Sequence, residues 1–232
     1  MSPPAPLEGP SPTLPWVTVD RARVGASEFS LTQQGAHWAV RVDGRVLMAN
    51  SVSDSEVALA EEAIARAQGL QRVLVGGLGL GYTLRAVLDN VPASTQVTVA
   101  ELVPQLVAWN RLHLGAFNDH PLEDARCTVV VGDVCDLLKR SRRTFDVILL
   151  DVDNGPASLA HASNQRLYGE GGVRTCYDAL TPGGVLGVWS AEPNARYEKK
   201  LRALPFDVEV LKVPARIGSH GRHVLFLAVR GG

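Results

Sequence analysis

The chain has 232 residues, with Lys+Arg 23 against Asp+Glu 24 and a formal net charge of −1. That length suits one α/β domain with a small addition, and the near-neutral charge argues against a general nucleic-acid binder. No apolar run is long enough to span a bilayer, and the start lacks the charged-then-apolar pattern of a signal peptide. The cysteines Cys127, Cys135 and Cys176 have no metal-ligand spacing. They are expected to be reduced residues of a cytoplasmic protein, and no metal is expected.

Residues 1–15 repeat Pro with Ser and Gly and are expected to form a disordered tail. Residues 16–52 are expected to form a small β domain. Strand-like runs cover 16–20, 28–32, 38–42 and 45–48, and Asp43-Gly44 is a two-residue hairpin turn. Residues 53–232 are expected to form the main domain. Ser53 or Asp54 can cap a helix to about Gln68, which Gly69 ends.

The alternation that follows predicts a mostly parallel seven-stranded sheet with helices on both faces. Strands are expected at 73–76, 97–101, 128–131, 147–151 and 185–189. Helices are expected at 80–90, 104–114, 134–139 and 172–180, the last stopped by Thr181-Pro182-Gly183-Gly184. A further helix is expected over 194–204, then strands at 208–213 and 223–229. Asp153-Asn154-Gly155-Pro156 opens a polar run to Gln165, read as a long functional loop over the strand ends.

Function is concentrated at the strand ends. Val73-Leu74-Val75-Gly76-Gly77-Leu78-Gly79-Leu80-Gly81 is a buried strand entering a glycine turn that opens a helix. Glycines let backbone approach a ligand, and the helix N-terminus offers free N–H groups. The spacing of Gly77, Gly79 and Gly81 differs from the dinucleotide fingerprint G-x-G-x-x-G. The next three strands end in Glu101, Gly132-Asp133 and Asp151. Ligands of open α/β sheets sit at such carboxyl ends.

That order of residues resembles the class I S-adenosylmethionine methyltransferases. With the small β domain in front, it is most similar to the polyamine aminopropyltransferases (spermidine synthases), over about 28–189. Gly44, Glu56, Gly76-Gly77 and Asp151 fall where that family has its Asp-Gly turn, its Asp-Glu pair, its glycine motif and its catalytic Asp. The resemblance implies a Rossmann-like fold and an S-adenosyl donor. Gly76, Gly77, Gly79 and Gly81 would cradle the methionine-like part of that donor. Glu101 would accept ribose hydroxyls, with Leu102 beside it. Asp133 would face the adenine amine, or cap the next helix, with Val134 on the ring.

Asp151 is the candidate that holds an incoming amine and takes its proton. Asp153 and Asn154 are candidates for orienting the acceptor. The family's donor-amine Asp is replaced by Gly79, D-[ST]-[ST]-D-P becomes Asp151-Val152-Asp153-Asn154-Gly155-Pro156, and the Tyr-His after Glu56 is absent. The lost charge at Gly79 favours S-adenosyl-L-methionine and methyl transfer to a small-molecule acceptor. The alternative is aminopropyl transfer from decarboxylated S-adenosylmethionine, and the other class is a lapsed nucleoside-binding scaffold. A homodimer is expected. Trp109 and Trp189 read as core or pocket wall, and His220 and His223 as solvent-side.

Overall fold

A computed structural model describes residues 14–51, 53–152, 155–157, 166–215 and 221–232. The chain packs as two compact units, Met1–Val52 and Ser53–Gly232. Residues 1–13 of the expected tail lie outside the described residues.

The first unit is an antiparallel meander of β1 (Val17–Val24), β2 (Ser27–Gln34), β3 (His37–Val42) and β4 (Arg45–Ala49). Asp43 and Gly44 both have positive φ, 50° and 79°. That is the backbone of a tight primed turn, whose twist matches the strands it joins. β1 runs further than expected, because Gly25 turns it into β2 with φ +60°.

The second unit is a doubly wound sheet. Its strands are β5 (Arg72–Gly76), β6 (Gln96–Glu101), β7 (Cys127–Val131), β8 (Phe145–Leu150), β9 (Leu180–Ser190), β10 (Phe206–Pro214) and β11 (Arg222–Arg230). Their order is β10-β11-β9-β8-β5-β6-β7. β11 is antiparallel to both neighbours, and β5 through β9 run parallel. Helices α1 (Asp54–Arg66), α2 (Tyr82–Asn90), α3 (Pro104–Trp109), α4 (Val134–Arg140), α5 (Glu170–Ala179) and α6 (Ala195–Arg202) complete the unit. One apolar cluster joins Leu59, Ala63 and Leu84 to Val75 and Leu149. A second joins Leu138, Val173 and Leu201 to Leu74 and Ile148. The two clusters use alternate residues of the same strands, so they lie on opposite faces of the sheet.

Three local expectations are corrected. The helix expected over 104–114 changes hydrogen-bond pattern after Trp109 and continues as a π segment, Asn110–Leu114. There Asn110 turns its amide to the carbonyls of Gly79 and Leu106, each 2.9 Å away. Thr181-Pro182-Gly183-Gly184 belongs to the start of β9, where the pairing shifts between Phe145↔Leu180 and Val147↔Val185. The turn therefore bulges the strand after the helix has ended at Ala179. Ser53 sits at the N-cap of α1 without a side-chain cap bond.

α1 docks closely because β9 carries Gly187. A Cβ there would lie 2.9 Å from Leu149 and 3.1 Å from Leu59. The opposite end of the sheet is tied by Asp146. It accepts the N–H groups of Gln71 and Arg72 (2.7 and 3.0 Å) and the Thr181 hydroxyl (2.8 Å). Asp146→Ala leaves three donors without their acceptor and is expected to cost about 1–3 kcal/mol in urea denaturation. An unchanged midpoint would show that water replaces the carboxylate fully.

Candidate functional site

β5 is the switch point of the sheet, since β6 lies on one side and β8 on the other. Chain leaving β5 and its two neighbours must diverge there, which opens a crevice at the carboxyl ends. Backbone bonds hold the rims together. Gly77 N–H donates to Ala100 O and Asp151 N–H to Gly76 O, both at 2.9 Å, and Gly132 N–H to Glu101 O at 2.8 Å. Gly77, Gly79, Glu101, Asp133 and Asp151 thus follow one another around a single crevice.

Gly77 has φ +91°, and a Cβ on it would lie 2.2 Å from the Asp151 carbonyl oxygen. Only glycine fits there. Gly81, at φ +86°, precedes α2, and a Cβ on it would meet Asn118 at 2.7 Å. Gly79 has φ +53°. Gly76 sits at the end of β5, where a Cβ would meet Val134 Cγ2 at 3.0 Å, so Val134 is the floor of the turn.

Glu101 is buried, and both its oxygens are engaged. Oε2 accepts Leu78 N–H at 2.9 Å, and Oε1 accepts Val103 N–H at 2.8 Å. The acid therefore braces the glycine turn from both ends. Leu102, beside it, is 52% exposed. Asp133 caps α4 by accepting Cys135 N–H at 2.8 Å, and its other oxygen lies 3.7 Å from Arg166. The helix-capping alternative is observed directly. Asp153, Asn154 and His220 lie outside the described residues.

The acid end of the crevice holds more than the sequence indicated. Asp151 Oδ2 accepts the hydroxyl of Thr83, from the first turn of α2, at 2.6 Å. Burial raises the Asp151 carboxyl above its ordinary range, and the Thr83 bond opposes this. Glu56 lies in the first turn of α1 and is pushed up to about 7, by burial first and by the Asp151 carboxylate second. A helix N-terminus stabilises an anion, so desolvation and like charge overcome the dipole here. Tyr82 is pushed up to about 12, by burial and by Glu56.

Ser55, fully buried, joins this group to β9 and β11. Its hydroxyl donates to Glu56 Oε2 at 2.7 Å and accepts the Trp189 indole N–H at 3.0 Å. His223 Nδ1 lies 2.9 Å from the same oxygen, and its ring meets Trp189 edge-on at 4.5 Å. His223 is therefore part of the site and not a solvent-side residue. Burial lowers its imidazole pKa. No spacing rule pairs Ser55 with residues 134 and 168 positions away.

The site's pH dependence follows from Glu56. Its pKa is raised from 4.5 to about 7 on folding, so the folded chain binds the extra proton between those values. Stability is then lost as pH rises through that window. Glu56→Gln removes the titration. Relative to the parent it should gain about 1–2 kcal/mol between pH 4.5 and pH 8.5, less than the full shift implies because the side chain is half-buried. Equal parent–variant differences at both pH values would place the titration elsewhere.

Residues 56–202 match the family model described as "Spermine/spermidine synthase domain". The chain is 32% identical over 162 residues to polyamine aminopropyltransferase 2 of Pseudomonas aeruginosa, across 64% of this chain and 44% of that one. It is 28% identical over 163 residues to polyamine aminopropyltransferase 2 of Hyperthermus butylicus, across 67% of this chain and 50% of that one. The chain thus spans half or less of the length of these curated relatives. Its fold is similar to a spermidine synthase crystallised with the transition state analogue AdoDATO (TM-score 0.78, 18% identity, 92% of this chain and 74% of that one). It is similar also to spermidine synthase from Thermotoga maritima (TM-score 0.76, 19% identity, 92% and 73%).

Proposed function

The chain belongs to the spermine/spermidine synthase domain family, and from that premise we propose that it transfers an aminopropyl group from decarboxylated S-adenosylmethionine to a small amine of the polyamine class. The observation that carries this reading is the acid pair of Glu56 and Asp151 at the end of the crevice. Two carboxyl groups in a partly desolvated site favour a cationic acceptor, because an ammonium offsets the burial that raises both and the Asp151 charge that further raises Glu56. The curated relatives support the same choice, since their names state aminopropyl transfer. Methyl transfer, expected from Gly79, rests on a missing charge alone. The same reading includes a homodimer and a cytoplasmic location.

The donor would supply an alkyl carbon already activated by its sulfonium. The glycine turn would hold the chain leading to that sulfur, and the Glu101 carboxylate the ribose hydroxyls. Asp133 would face the adenine amine, with Val134 packing on the ring. Asp151 would hold the acceptor nitrogen and remove one proton, exposing the lone pair that attacks. Thr83 fixes the carboxylate's orientation by its bond to Oδ2. Sulfonium and ammonium enter, a thioether and a secondary ammonium leave, and one proton is released.

Two measurements check this. Asp151→Asn keeps the shape and accepts no proton, so turnover should fall at least about a hundredfold with donor affinity retained. Parental turnover in that variant would end the assignment of Asp151 as base. Calorimetric titration of both donors, with mass spectrometry of products from a diamine, decides the transferred group. Tighter binding of decarboxylated donor and an aminopropylated product are expected. Tighter binding of S-adenosylmethionine with a methylated product would restore the methyl reading, donor binding with no product would favour a lapsed nucleoside-binding scaffold, and no heat from either donor would end the nucleoside-site reading. Gly79→Asp should raise preference for the decarboxylated donor by about tenfold, since an aspartate tolerates φ near +53° and repels the extra carboxylate.

A further inference from the structure

Ser55 Oγ has one hydrogen and two lone pairs, and three groups surround it: Trp189 Nε1–H, Glu56 Oε2 and His223 Nδ1. The indole N–H only donates, so it always occupies one lone pair. One hydrogen and one lone pair are left for Glu56 and His223. One of these two must therefore donate to Ser55 while the other accepts from it. When Glu56 is ionised it accepts, and His223 must carry hydrogen on Nδ1. When Glu56 is protonated it donates to Ser55, Ser55 donates to Nδ1, and the neutral imidazole carries its hydrogen on Nε2.

We propose that Glu56, Ser55 and His223 form a proton exit from the acid pair, with His223 changing tautomer each time a proton passes. The proposal rests on the transferase reading of the site and adds to it a relay that holds the charge of the acid pair constant while Asp151 carries the acceptor's proton. The step balances. As Asp151 takes the acceptor's proton, its negative charge no longer favours a proton on Glu56. Glu56 then passes its proton to Ser55 Oγ, Ser55 passes its own to His223 Nδ1, and Nε2 loses its proton to solvent. One proton enters the pair at Asp151 and one leaves from Glu56; once product departs, Asp151 loses its proton to the opened site and the relay runs in reverse to reprotonate Glu56, so the cycle closes with one proton released and no change of oxidation state. Asp151 and Glu56 need only feel each other's charge, and no bond between them is required.

The surroundings favour this wiring. Ser55 is fully buried, so water does not compete for its hydroxyl, and the half-buried His223 ring turns Nδ1 inward. Trp189 packs against the imidazole edge and holds its plane. Among the described residues, the titratable groups around the relay are Asp54 and Glu56 from α1, Tyr82 from α2 and Asp151 after β8. On β11 Arg222 precedes His223, while β10 places uncharged Val213 opposite it. Burial is the cause that keeps the ring neutral while Glu56 titrates near 7. Ser55 and His223 are positioning residues here, since neither is placed against the reacting atoms.

The test reads the tautomer directly. The full chain, labelled with nitrogen-15 at histidine, is titrated from pH 5.5 to 9 without donor or acceptor, and the His223 signals are assigned by comparison with His223→Gln. Nδ1–H is expected above about pH 7 and Nε2–H below it, until the ring itself protonates. One tautomer on both sides of that pH overturns the proposal. Ser55→Ala should uncouple the tautomer from Glu56, and Ser55→Thr, which keeps a hydroxyl, should restore the coupling. A tautomer change that persists in Ser55→Ala also overturns it. In turnover, His223→Gln should lower kcat about tenfold with acceptor KM little changed. Parental kcat in His223→Gln would reduce the network to a structural one. Absence of transfer by the parent chain would instead count against the transferase reading and leave the ligand-free titration standing.

Discussion

The site depends on how closely two backbones approach where the sheet divides. The turn after β5 lies against the Asp151 carbonyl so tightly that a methyl group on Gly77 would sit 2.2 Å from its oxygen. This contact places a glycine cradle and a carboxylate on adjacent strand ends. Strands five ångströms apart would otherwise be separated by side chains on their connecting loops. Glu101 works from the other side of the turn. Its bonds to the N–H groups of Leu78 and Val103 make one carboxylate both a brace of the loop and a wall of the crevice.

The second constraint is the docking of α1. Gly187 removes a side chain from β9 and lets Leu59 and Ala63 settle on the sheet. The helix runs opposite to the strands, so its first turn falls at their carboxyl ends. Ser55 and Glu56 are thereby carried to Trp189, His223 and the field of Asp151. A solvated glutamate in a first turn would be an ordinary helix-stabilising acid. Burial beside another acid turns it into a group that exchanges protons near neutral pH.

The departures from the aminopropyltransferase pattern gain meaning in this setting. Where the family has an Asp before Glu56, this chain has Ser55, a hydroxyl that both donates and accepts. The family's Tyr-His after that glutamate is absent, yet Tyr82 from α2 feels the charge of the same carboxylate and His223 from β11 reaches the Ser55 hydroxyl bonded to it. The loss of residues from one segment is therefore not a loss of those side-chain types from the site. Gly79 differs in kind, because it removes a charge from the turn itself.

Much of the fold was legible because its signals are local. Unbroken apolar runs marked the parallel strands, Asp43-Gly44 marked a hairpin by its need for positive φ, and acids after Val131 and Leu150 marked the strand ends. Glu101, Asp133 and Asp151 could be named as candidates because each lies at or within two residues of its strand's end. The sequence also carried the family's order of motifs. It could not show that the helix would pass into a π segment at Asn110, whose amide there bonds the carbonyl of Gly79, 31 residues earlier. Nor could it raise the pKa of Glu56 or draw His223 inward. Burial, like charge and a shared hydroxyl are properties of the packed chain, and they exist only once α1, β8, β9 and β11 meet at one end of the sheet.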